Sequence, residues 1–75
     1  MELILQISAN EYSIDIVEYS NNHSHKYGAT LYRRQEGHRT YLSTVNADHG
    51  IELIEKLEQE VNQHFALQTQ IVLSR

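Results

Sequence analysis

Gly50-Ile51-Glu52-Leu53-Ile54-Glu55-Lys56-Leu57-Glu58-Gln59-Glu60-Val61-Asn62-Gln63-His64-Phe65-Ala66 is the stretch where the period of this chain changes. Ile54, Leu57, Val61 and Phe65 recur at i, i+3, i+7 and i+11. At about 100° per residue these four positions fall within an arc of about 80°, one apolar stripe on a helix. Leu53 and His64 flank the stripe, and Asp48, Glu52, Glu55, Gln59 and Asn62 lie on the opposite side. The spacing predicts an amphipathic helix over 50–66. Asn46 or Asp48 is placed to cap it by accepting N–H bonds from its first turn. Glu52 and Lys56 stand at i, i+4, a favourable helical pair, and acid gathers near the helix start, where the macrodipole favours it.

Upstream of this stretch the period is two. In Glu11-Tyr12-Ser13-Ile14-Asp15-Ile16-Val17-Glu18-Tyr19, the side chains of Tyr12, Ile14 and Ile16 share one face and Ser13 and Asp15 the other. Branched and aromatic residues in that alternation suit a half-buried strand. Before it, Leu3, Leu5 and Ile7 alternate with Glu2, Ile4 and Gln6, which predicts a first strand with one apolar face and a tight turn at Ala9-Asn10. After it, Ser20 to His25 forms a polar loop. A third strand is expected over 26–34, with Tyr27, Ala29 and Leu31 facing one way and Thr30 and Tyr32 the other. Gln35-Glu36-Gly37-His38 reads as a hairpin loop with Gly37 free to take positive φ. A fourth strand over 39–45 sets Tyr41, Ser43 and Val45 against Thr40, Leu42 and Thr44. Downstream of the helix, Gln70-Ile71-Val72-Leu73 is short, apolar and β-prone, and is expected to be a last strand, closing on this sheet or on a neighbour's. The fold class is α+β: an antiparallel β-meander of about four to five strands with one amphipathic helix on one face, in the order ββββαβ.

Seventy-five residues make one domain, 1–75. A chain of this length buries only about 60 % of the surface it exposes when unfolded, and this one is lean in apolar residues. Small domains in that position usually gain a disulfide, a metal or a partner. There is no cysteine, which excludes disulfides, thiolate metal sites and cysteine nucleophiles, and fits a reducing compartment. The N-terminus has no basic start and alternates like a strand, unlike a signal peptide. No run approaches the about 18–20 apolar residues of a membrane span. The expectation is a cytoplasmic protein that does not engage membranes.

The net charge is −4, and its distribution is uneven. Residues 1–22 carry Glu2, Glu11, Asp15 and Glu18 with no cation. Residues 23–41 hold Lys26, Arg33, Arg34 and Arg39 against Glu36, and residues 42–75 hold five carboxylates against Lys56 and Arg75. The middle is basic and both ends are acidic.

Chemistry is hard to place. His23-x-His25 has a chelate-like spacing, but structural zinc takes four ligands and the sequence positions no third or fourth. A solvated loop explains the pair as well. Glu52 and Glu55 fall on the wet side of the helix beside Lys56, where carboxylates solubilise rather than react. No nucleophile elbow and no phosphate-cradling glycine loop occurs. The expectation is a non-enzymatic chain without cofactor or metal.

The binding signals are two. Tyr27, Tyr32, Arg33, Arg34, Arg39 and Tyr41 gather on the third and fourth strands, a composition that either stacks bases and binds phosphate or forms a protein hot spot. Cross-strand tyrosine pairs with solvated arginines are the plain alternative. Asp48, Glu52 and Glu55, with Glu58 and Glu60 alongside, form an acidic helix face. It is either a solubilising face or a dock for a basic partner such as a nucleic-acid-binding protein.

Glu11 to Tyr19, followed by the stretch from Asp48 to Val61, resembles in layout some small phage-encoded anti-CRISPR proteins, which begin with a short strand, run Tyr-rich hairpins and pack one acidic helix on the sheet. The resemblance covers about two-thirds of the chain and carries no shared motif. It implies a non-enzymatic inhibitor that binds a Cas protein or surveillance complex and blocks target DNA. The residues and the resemblance together point to a small protein-binding inhibitor or regulator of a nucleic-acid-handling partner. The alternatives are direct RNA or single-stranded DNA binding through the Tyr/Arg hairpin, and a homodimeric structural protein.

Overall fold

The computed structural model describes the backbone of residues 1–73 and the side chains of residues 1–65. Four strands, β1 (Glu2–Ser8), β2 (Tyr12–Glu18), β3 (Tyr27–Gln35) and β4 (His38–Ala47), are followed by one helix, α1 (Gly50–Leu73). The strands form one antiparallel sheet in the order β1-β2-β3-β4. The α+β meander with a single helix is therefore the fold. The strand expected at Gln70–Leu73 is not formed: those residues continue α1. A short apolar run does not distinguish strand from helix by periodicity, and Ala66-Leu67-Gln68-Thr69 contains no glycine or proline to stop a helix already running.

β2 is the strand that β1 and β3 both pair with, and its alternation sets the two faces. Ile14 opposes Ile7 on one side and Leu31 on the other, and Ile16 opposes Leu5 and Ala29. These residues face α1. The core is Ile14, Ile16, Ala29, Leu31, Ala47, Leu53 and Leu57, with Leu31 wholly buried. Tyr12, Tyr27, Leu42, Val45, Val61 and Phe65 pack around it.

Two bulges break the period of the outer strands. On β1 the register shifts between Leu3 and Leu5, so Ile4 is the inserted residue. On β4 Leu31 opposes Ser43 while Tyr32 opposes Tyr41, so Leu42 is inserted. A bulge places two residues against one and re-aims the side chains beyond it. Leu42 consequently packs on the core. Tyr41, expected on the face of Ser43 and Val45, instead lies on the opposite face, its ring 6.4 Å from that of Tyr32. The β3–β4 turn follows the expected loop: Glu36 (φ 43°) and Gly37 (φ 85°) both take positive φ, the conformation of a two-residue turn whose twist matches the strands.

The helix is rotated about its axis relative to the expected stripe. Among the described side chains Leu53 and Leu57 are its buried residues, whereas Ile54 is 48 % exposed. The expected Glu52–Lys56 pair gives way to a different contact: the Lys56 ammonium donates to the Asn46 carbonyl at 2.7 Å. Neither expected cap is used as such. Asn46 Oδ1 accepts from the Tyr19 hydroxyl, and Asp48 Oδ1 accepts from the Lys26 amide at 3.3 Å.

Candidate functional site

The six hairpin residues do not form one patch, because alternation sends them to both faces of the sheet. Tyr27 and Arg33 are on the helix side. Arg33 lies 4.9 Å from the Phe65 ring centre and Lys26 lies 5.4 Å from that of Tyr27, so two of the cations cover aromatic rings of the protein itself. Arg34 donates from Nη1 to the Ala9 carbonyl at 2.6 Å and ties down the β1–β2 turn.

Tyr32, Arg39 and Tyr41 do meet, on the face that carries no helix. The Arg39 guanidinium lies 4.0 Å from the Tyr32 ring centre and 3.2 Å from Asp15 Oδ1. Asp15 also accepts from Gln6 Nε2 at 2.8 Å. Arg39 roofs Ser13, which is buried beneath it. Thr30 and Thr44 share a hydrogen bond at 3.2 Å further along the same face. This surface is polar and internally paired, and Tyr41 alone of its rings stands well out, 60 % exposed. Toward the β3–β4 turn it dips into a polar hollow of about 410 Å³ between Ser8, Asn10, Arg34, His38 and Arg39.

The acidic residues also part company. Asp48 holds the loop before β3, with His25 Nδ1 3.6 Å from its carboxylate. Glu52 turns back to accept the Asp48 amide at 3.2 Å. Glu55 stays on the exposed wall of α1. His23 and His25 are not arranged as a chelate. His23 stacks on Tyr19 at 3.7 Å and its Nδ1 accepts the His25 amide at 3.0 Å. Among the described residues no group of three or more His, Asp or Glu side chains gathers as metal ligands, and no helix is long and apolar enough to cross a membrane.

The feature that sequence reading missed is apolar. The helix packs over β3 and β4 and leaves β1 bare along its whole length. The β1 bulge turns Ile4 to the helix side beside Leu5, in line with Ile7. There Ile4, Ile16 and Tyr27 form the floor, and Ile51, Leu53 and Ile54 the wall, of a groove of about 500 Å³. It continues along α1 past Tyr12, Ile14, Leu57 and Val61. Ile4 is 52 % exposed and Ile51 78 %. Glu55 and Glu58 stand at the groove's helix rim. The available signal was the surplus: Ile4 between two alternating leucines, and Ile51 and Ile54 on either side of Leu53, exceed what one helical stripe and one strand face can bury.

No family model, curated protein or solved structure matches this chain.

Proposed function

We propose that this chain is a non-enzymatic protein-binding module that acts by contact. One observation carries the reading: a chain lean in apolar residues leaves Ile4, Leu5, Ile7, Ile51 and Ile54 in water on the helix side of the sheet, with Ile4, Ile51 and Ile54 lining one groove. Together they expose on the order of 500 Å² of apolar surface, at the upper end of the largest patch a monomer carries and characteristic of interaction sites. The inhibitor form of this reading, directed at a nucleic-acid-handling protein, draws support from the carboxylates of Glu55 and Glu58 on the groove rim, since a basic nucleic-acid channel attracts carboxylates as it attracts phosphates. A Cas complex is one such partner, suggested by layout alone.

Direct nucleic-acid binding fits less well. Arg39 has its carboxylate partner at 3.2 Å, Arg33 covers Phe65 and Arg34 holds a backbone carbonyl. To bind phosphate these cations must first leave neutralising or structural contacts.

The test sets two assays side by side. The immobilised chain is challenged with extract of candidate host cells, and the free chain is titrated with single-stranded RNA and DNA at low salt. A captured protein that is lost with Ile51→Ser plus Ile54→Ser, without a nucleic-acid shift, supports the reading. A nucleic-acid shift abolished by Arg34→Glu plus Arg39→Glu, with no protein captured, replaces it by the nucleic-acid one.

A further inference from the structure

Resting on the protein-binding reading, we infer that the groove between α1 and β1 receives an amphipathic α-helix of a partner, with Lys or Arg on the flank that meets Glu55 and Glu58.

The dimensions select a helix. α1 packs over β3 and β4, with Ile14 and Ile16 of β2 buried in the core beside it, and the sheet beyond is β1, exposed along its length. Four strands at about 4.8 Å each span about 19 Å, the width of two helices side by side. The wall runs from Ile51 to Asn62 along α1, about 18 Å at 1.5 Å per residue, or some three turns. A sheet of four strands has room for two helices on a face, and this chain supplies one.

Charge selects the flank. The floor and inner wall are apolar, from Ile4, Ile14, Ile16, Ile51 and Ile54, while Glu55 and Glu58 line the upper rim, and among the described residues no cation pairs with either carboxylate. A helix lying beside α1 brings its own flank against that rim. Basic residues there gain attraction, and acidic ones meet like charge. Like charge also disfavours the α1 helix of a second copy as the occupant, because its flanks carry Glu52, Glu55 and Glu58. Recognition would be of the helix-in-groove kind, read through anchors at i, i+3, i+4 and i+7.

Three synthetic 18-residue peptides test this against the full chain. Two share one leucine stripe, one flanked by lysine and one by glutamate, and the third keeps the lysines but scrambles the stripe. Binding is followed by fluorescence anisotropy and mapped by amide chemical shifts. The lysine-flanked striped peptide is expected to bind at least tenfold tighter than the other two, with shifts at Ile4, Ile16, Ile51 and Ile54. Glu55→Lys plus Glu58→Lys should reverse the order of the two striped peptides. Equal binding of the scrambled peptide, shifts confined to the Tyr32–Arg39–Tyr41 face, or no binding by any peptide overturns the inference. So does a concentration-dependent dimer paired through β1 that closes the groove. In that last case the protein-binding reading stands with a second copy as partner, and only the helix falls.

Discussion

Tyr19 lies across Gly28. From the end of β2 its side chain spans the third strand, and its hydroxyl donates to Asn46 Oδ1 on the fourth at 2.7 Å. A Cβ on Gly28 would stand 2.6 Å from Tyr19 Cζ, closer than packed atoms tolerate. Glycine is needed there for the close approach and not for its backbone freedom. Gly28→Ala is expected to displace the ring, losing the Asn46 bond and the His23 stack, at a cost of about 1–3 kcal/mol. Urea denaturation measures it. In a Tyr19→Ala background the same change should cost much less, because the clash is gone. Equal costs in the two backgrounds would refute the contact.

Arg39, Asp15 and Tyr32 form a polar cluster on the open face, yet the ion pair's energy is small because the Arg39 side chain remains 39 % exposed. A double-mutant cycle of Arg39→Ala with Asp15→Asn is expected to yield about 0.5–1 kcal/mol of coupling, falling with added salt. Asp15→Asn also frees the guanidinium. If the cation is held from phosphate by its carboxylate, this variant should bind single-stranded nucleic acid better at low salt than the wild type, with a steeper salt dependence. An unchanged affinity would show that Asp15 does not mask Arg39.

Burial on the helix differs from what its sequence stripe implies, and stability should follow burial. Leu57→Ala and Leu53→Ala each remove a side chain from the core and are expected to cost about 2–5 kcal/mol. Ile54→Ala, at the centre of the apolar spacing but half in water, should cost below about 1 kcal/mol. Chemical denaturation of the three variants checks the order, and an Ile54 cost equal to that of Leu57 would place the helix in the other rotation.

That contrast shows where sequence reading reaches and where it ends. The faces of β2 and β3 are legible because their alternation is unbroken: Ile14 and Ile16, then Ala29 and Leu31, are core residues as their spacing demands. The bulges at Ile4 and Leu42 are not, because a bulge belongs to the pairing of two strands and has no local sequence signature. Tyr41 and Ile4 change faces for that reason. The basic hairpin reads as one patch along the chain, but strand alternation divides it, leaving Arg33 on Phe65 and Arg39 on Tyr32. The helix stripe is wide enough to sit in either of two rotations, and the observed one accompanies a β4–α1 connection held through Asp48 and Lys56.

The groove itself makes a prediction independent of any partner. An open apolar cleft on a folded chain binds a hydrophobic dye such as ANS, a behaviour otherwise typical of loosely packed states. The native protein is expected to enhance ANS fluorescence with a cooperative urea transition still intact. Ile51→Ser plus Ile54→Ser should remove most of that signal, since both residues line the cleft. The same pair should shift stability by no more than about 1 kcal/mol in total, because Ile51 is largely and Ile54 half in water already. Leu3→Ser is the control: Leu3 opposes Val17 rather than Ile16, lies on the other side of the bulge, and should leave the dye signal in place. If Leu3→Ser abolished the signal and the isoleucine pair did not, the exposed apolar surface that matters would be the open face of β1 and not the groove.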